Sequence, residues 1–233
     1  YVIFAADHSY GANITIFDNG ETADYQAGER RALNADFLNS IDLSQIDILV
    51  KDLRFIIDEF ITDSTDAFLK VLPMDTDRIG VMGHSLGGAV AVTTMALDSR
   101  VEATMVLDGW YAPIPDSVIA SGLKGPIFHL GQKQWSQPGN YIRMDDMLSQ
   151  SSGPVYKMLV PGTFHTDFTD MPLFTPFSQF IGYTKIQDPT WLNDLMRENT
   201  VKFFDVYLKD QPESKLHEQI QNAKDVTSYI FVP

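Results

Sequence analysis

The chain has 233 residues, no cysteine and a formal net charge of −14, from 31 acidic and 17 basic side chains. The missing cysteine excludes disulfides, thiolate catalysis and cysteine-ligated zinc. The acidic balance argues against nucleic acid and anionic membrane surfaces as partners, because both attract positive patches. No apolar run reaches the roughly 20 residues that stable membrane insertion as a helix needs. The length fits a single domain over 1–233 with a substantial core. The chain opens at Tyr1 inside an apolar run, so an N-terminally truncated domain is expected, and its compartment stays open between secreted and cytoplasmic.

Taken in order, residues 1–6 read as a buried strand ending near His8, and Asn13 to Phe17 as a short strand stopped by the turn signal Asp18-Asn19-Gly20. His8 at a strand end is a weak ligand candidate beside the plainer reading of a hydrogen-bonded structural histidine. Residues 20–40 are polar and irregular. From Ser44, apolar residues at Ile46, Leu49, Val50, Leu53, Ile56, Ile57, Phe60 and Ile61 recur at helical spacing. Ser44 and Asp47 resemble a capping box, and Asp47, Asp52, Asp58 and Glu59 form the solvated face.

Next comes an apolar strand running into Gly83-His84-Ser85-Leu86-Gly87 and then a helix of small residues from Ala89. A Gly-x-Ser-x-Gly turn between strand and helix is a nucleophile elbow, the device of the α/β-hydrolase fold. Its strained turn lifts the serine Oγ clear of the sheet, and its glycines permit close strand–helix approach. Further strands follow at Glu102–Leu107, ending at Asp108-Gly109-Trp110; at Gly125–Leu130, ending at Gly131 to Trp135; and at Pro154–Val160, ending at Pro161 to His165. A last helix is expected over Trp191–Lys209. This alternation predicts an α/β fold, a mostly parallel sheet with flanking helices.

A serine hydroxyl needs a base, and the base an orienting acid, in the order Ser, acid, His. His8 precedes Ser85, His84 adjoins it and is expected to point elsewhere, His129 lies inside a strand, and His217 lies in a charged tail. His165 alone follows the serine at a strand end. For the acid, the position after the Gly125–Leu130 strand reads Gly131-Gln132-Lys133-Gln134, without a carboxylate. Asp108, one strand earlier, is the first choice, and Asp145 or Asp146 the alternative. The backbone N–H of Leu86 is the expected oxyanion donor. Trp110, Trp135 and Phe164, with Tyr111 and Phe168, are candidates to line a substrate pocket, against the plainer reading of core packing. His165 with Asp167 and Asp170 makes a poor metal set, so neither metal nor other cofactor is expected.

The segments Gly83–Gly88, Leu107–Trp110 and Thr163–Phe168 resemble the plasma-type platelet-activating factor acetylhydrolases and their bacterial relatives, as do Val2–His8 and Phe203–Leu208. The resemblance implies the acid at Asp108, because that family carries it after the strand following the elbow helix. It implies a serine esterase with an acyl-enzyme mechanism and short-chain or phospholipid-type esters as small-molecule substrates. It also implies that the second oxyanion donor and the first strands precede Tyr1, so that a missing N-terminal segment or a partner covers the sheet. Loss of one oxyanion donor costs about 2.7–4 kcal/mol. The alternatives are therefore a catalytically impaired hydrolase-fold fragment or binding module, and a serine peptidase of the prolyl-oligopeptidase type, which expects its acid one strand later.

Overall fold

A computed structural model describes residues 1–9, 14–24, 44–61, 71–175 and 177–233. The chain divides into two compact units, Tyr1–Met74 and Asp75–Pro233.

In the first unit, β1 (Ile14–Ile16) and β2 (Thr22–Asp24) pair antiparallel. The turn signal between them closes the hairpin, with Gly20 at φ 82° and Phe17 N–H donating to the Glu21 carbonyl at 2.9 Å. Helix α1 (Ser44–Ile61) follows the expected bounds and buries Ile46, Val50 and Ile57. The expected strand at residues 1–6 is not formed. Tyr1, Val2, Ile3 and Phe4 are exposed, and the Phe4 ring lies tilted against Phe60 of α1 with centroids 4.0 Å apart. An apolar run becomes a strand only where a neighbour completes its ladder, and no described strand pairs with this one. Positions 10–13 and 25–40, including Asn13 of the second expected strand and most of the polar stretch, lie outside the described residues.

The second unit is built on a five-stranded sheet in the order β3-β4-β5-β6-β7. Strands β3 (Ile79–His84), β4 (Val101–Leu107), β5 (Ile127–Gln132) and β6 (Val155–Val160) run parallel. Only β7 (Thr227–Phe231) is antiparallel. Parallel neighbours need crossovers. These carry α2 (Leu86–Leu97) after β3, α3 (Asp116–Ser121) after β4 and α4 (Pro138–Gln150) after β5. After β6 come a 3₁₀ turn (His165–Phe168), α5 (Met171–Phe174), α6 (Phe177–Phe180), α7 (Pro189–Lys209) and α8 (Glu213–Asn222).

Strand alternation sends Met105, Phe128, Leu130, Tyr156 and Met158 to one face, where they pack on Leu192, Phe203 and Val206 of α7 and on Leu216 and Ile220 of α8. On the other face α2 lies close enough that a Cβ on Gly88 would stand 2.8 Å from Val106 Cγ1. Every residue from Gly88 to Met95 is buried, so the middle of α2 has no solvent-facing side. Helices on both faces and ordered loops at the C-terminal strand ends make this the α/β-hydrolase architecture.

Candidate functional site

Ser85 sits between β3 and α2 at φ 56°, ψ −119°, a region L-residues rarely adopt. The turn is locked from both sides. Ser85 N–H donates to the Leu107 carbonyl at 3.0 Å, and the Ser85 carbonyl accepts from Gly88 N–H and from Trp110 N–H, each at 3.0 Å. A Cβ on Gly83 would stand 2.2 Å from the Gly87 carbonyl carbon, so the bend tolerates only glycine there. A Cβ on Gly87 would meet nothing within 4 Å. Close packing therefore requires Gly83 and Gly88, and the second glycine of the motif is free of that demand. Leu86 begins α2, so its N–H stands among the unsatisfied donors at the positive end of the helix dipole.

Asp108 follows β4 at φ 43° and is fully buried. Its carboxylate is surrounded by donors. Oδ1 accepts from the Gln132 backbone N–H at 2.9 Å and from the Trp135 indole Nε1–H at 3.1 Å. Oδ2 accepts from the Gln132 side-chain amide at 2.9 Å and lies 2.6 Å from His165 Nδ1. A buried carboxylate keeps its charge only when paired and hydrogen-bonded, and here all four acceptor positions are filled. The contact fixes the His165 tautomer: Nδ1–H faces Asp108, and Nε2 is left to accept a proton.

His165 begins the 3₁₀ turn after β6. Asp167, itself buried, fixes that turn by accepting from the backbone N–H groups of Phe164 (2.6 Å), Lys185 (3.0 Å) and Ile186 (3.2 Å). The Trp135 ring meets His165 edge-on, with centroids 5.0 Å apart. His84 was expected to point away. Instead it stacks on His165 with centroids 4.4 Å apart, and its Nε2–H donates to the His165 carbonyl at 3.2 Å. Burial, and then the neighbouring His165, lower the His84 pKa and favour its neutral form. The residue before Ser85 thus touches the histidine that Asp108 holds.

The loop after Asp108 is clamped from α4. Asn140 Oδ1 accepts from Tyr111 N–H at 2.6 Å, and its Nδ2–H donates to the Gly109 carbonyl at 3.0 Å. Arg143 donates to the Tyr111 and Ile114 carbonyls and pairs with Asp116 at 2.8 Å. Beneath the site, His129 is fully buried in β5, and burial drives its pKa down to about 4. Its Nδ1 lies 3.0 Å from the Tyr111 hydroxyl.

Of the aromatic pocket candidates, Trp110 and Tyr111 are buried, as is Phe168. Trp135 is half-buried on Asp108 and His165. Phe164 is exposed, with the Lys185 ammonium 5.2 Å from its ring centre. Of the alternative acids, Asp145 pairs with Lys157 at 2.7 Å, and Asp146 is exposed on α4. His217 belongs to α8 and contacts the Tyr156 hydroxyl at 3.2 Å. Among the described residues no group of three or more His, Cys, Asp or Glu side chains could hold a metal ion. The arrangement can orient an imidazole, carry positive charge on it against a buried carboxylate, and present a hydroxyl at a helix N-terminus.

Sequence and structure comparisons point the same way. The family model "Platelet-activating factor acetylhydrolase, isoform II" matches residues 43–227. A platelet-activating factor acetylhydrolase of Bos taurus is 33% identical over 111 residues, 47% of this chain and 24% of its own. A probable 1-alkyl-2-acetylglycerophosphocholine esterase of Arthroderma benhamiae is 24% identical over 225 residues, 90% of this chain and 52% of its own. A ferulic acid esterase structure from Streptomyces cinnamoneus superimposes with a TM-score of 0.75 at 27% identity, covering 95% of this chain and 63% of that one. The chain thus spans from about a quarter to about half of these two relatives' length. With the family model matched across four-fifths of its length, the chain belongs to the platelet-activating factor acetylhydrolase, isoform II, family of α/β-hydrolases.

Proposed function

We propose that the chain carries the catalytic triad of a serine ester hydrolase, with Ser85 as nucleophile, His165 as general base and Asp108 as the orienting acid. The observation that carries the reading is the 2.6 Å contact between His165 Nδ1 and buried Asp108 Oδ2, one residue contact away from a serine strained to positive φ. In this reaction His165 Nε2 takes the proton from Ser85 Oγ as the oxygen attacks the ester carbonyl. The Leu86 N–H donates to the oxyanion. His165 then returns the proton to the departing alcohol, leaving an acyl-serine. Water, activated by the same nitrogen, releases the acid and frees Ser85. Asp108 stays ionised throughout and stabilises the imidazolium formed in each half.

The substrate reading is supported by relatives named for acetyl esters of glycerophosphocholines and for ferulic acid esters. We assign short-chain esters, including acetyl esters on phospholipids. Exposed Leu173, Phe174, Phe177, Phe180 and Ile181, on the segment after His165, offer apolar surface suited to acyl chains. The acid's position speaks against the peptidase reading, whose acid would stand where β5 ends in Gln132. The test is hydrolysis of p-nitrophenyl acetate by the wild-type chain and by Ser85→Ala. Saturable turnover lost in the variant is expected. Turnover that survives the substitution would overturn the assignment.

A further inference from the structure

The position at the end of β5 that lacks a carboxylate is not idle. Gln132 reaches across from β5 to the end of β4 and spends two donors on Asp108, one from backbone and one from side chain. Trp135, three residues later, supplies a third. The backbone leaves space for this: a Cβ on Gly131 would fall 2.6 Å from Asp108 Oδ1 and 2.8 Å from His129 Nε2. Tyr141 of α4 holds the strand end in turn, its hydroxyl donating to the Gln132 carbonyl. With three acceptor positions occupied by these donors, rotation of the fully buried carboxylate about its own axis breaks hydrogen bonds. Only the fourth position, on Oδ2, remains for His165.

We propose that Gln132 and Trp135 are positioning residues for the reaction assigned above, holding Asp108 ionised and in the one orientation that serves His165. A carboxylate one strand early would otherwise hang on a strained, positive-φ backbone with freedom to turn. The amide and the indole remove that freedom. They also stabilise the charged form, because hydrogen bonds to a carboxylate favour its ionisation. The other ionisable groups facing Asp108 do not replace them. His84 and His129 are held towards the neutral form chiefly by burial, and burial likewise pushes the Tyr111 and Tyr141 phenols up. Lys157 is paired with Asp145. His165 is thus the cation that forms against Asp108 during turnover.

The experiment compares Gln132→Ala, Trp135→Phe and the control Gln134→Ala, an exposed neighbour, with rates normalised to sites titrated by a fluorophosphonate. Removing either donor is expected to lower kcat roughly 10- to 100-fold with little change in KM. It is also expected to shift the acidic limb of the kcat/KM profile, because the carboxylate is then no longer held in one orientation against the imidazolium. A role confined to folding would lower the titrated fraction and leave kcat per site and the pH limb unmoved, overturning the proposal. The inference rests on the triad assignment, and the two fail differently. Turnover surviving Ser85→Ala refutes the triad. A dead Ser85→Ala beside unaltered Gln132→Ala and Trp135→Phe refutes only the positioning role.

Discussion

His129 makes the second unit sensitive to acid in a way the fold can be tested by. It is fully buried in β5, with a pKa held down to about 4 by burial, against attraction from Asp108. In the unfolded chain it titrates near about 6.5. The unfolded state therefore binds more protons between those values, so stability rises with pH across that window. Equivalently, a contribution fully present above about pH 6.5 is lost as the pH falls towards 4. The pKa difference of about 2.5 units, at 1.36 kcal/mol each, corresponds to about 3 kcal/mol. The perturbation is the double substitution His129→Phe with Tyr111→Phe, which removes both partners of the 3.0 Å contact and strands neither polar group. Urea unfolding followed by tryptophan fluorescence, from pH 7 down to pH 4.5, measures the difference. The double variant is expected to lose about 2–3 kcal/mol less than wild type over that range. Equal losses in the two proteins would refute the reasoning.

Other consequences are local. Gly83→Ala places a methyl group 2.2 Å from Gly87 backbone; esterase activity is expected to fall with thermal stability, whereas Gly87→Ala, with open space, leaves the melting temperature nearly unchanged. Asn140→Leu strands Tyr111 N–H and the Gly109 carbonyl. It is expected to cost about 2–4 kcal/mol in denaturant unfolding, and a loss below 0.5 kcal/mol would show that the clamp is not structural. Asp108→Asn removes the charge facing His165 and is expected to lower kcat by about 10⁴-fold, the scale seen for the equivalent change in serine proteases; retention of activity within tenfold would return the acid to another residue.

What could be read from sequence was whatever has a local signature. The elbow announces itself by two glycines around a serine between an apolar strand and a small-residue helix, and the structure places β3 and α2 on those bounds. That Asp108 and His165 would meet was legible because strand ends are marked by turn residues and parallel strands bring those ends to one edge. The donors around Asp108 were not. Gln132 and Trp135 carry no motif, and their role exists only once β4 and β5 are in register. His84 was set aside as the neighbour of Ser85 and expected to point elsewhere, whereas its ring lies against His165. Helix α4 had a signal, Pro138 at its first turn and Met144, Met147 and Leu148 at helical spacing, but its short apolar stripe was overlooked. Residues 1–6 show the opposite error: hydrophobicity alone promised a strand that needs a partner to exist.

The central claim is that Ser85 is the nucleophile activated by His165. Fluorophosphonate labelling followed by peptide mapping tests it most directly. The account predicts a single adduct on Ser85, absent in Ser85→Ala and formed far more slowly in His165→Ala. An adduct on a different serine, or labelling of Ser85 at an undiminished rate without His165, would contradict it.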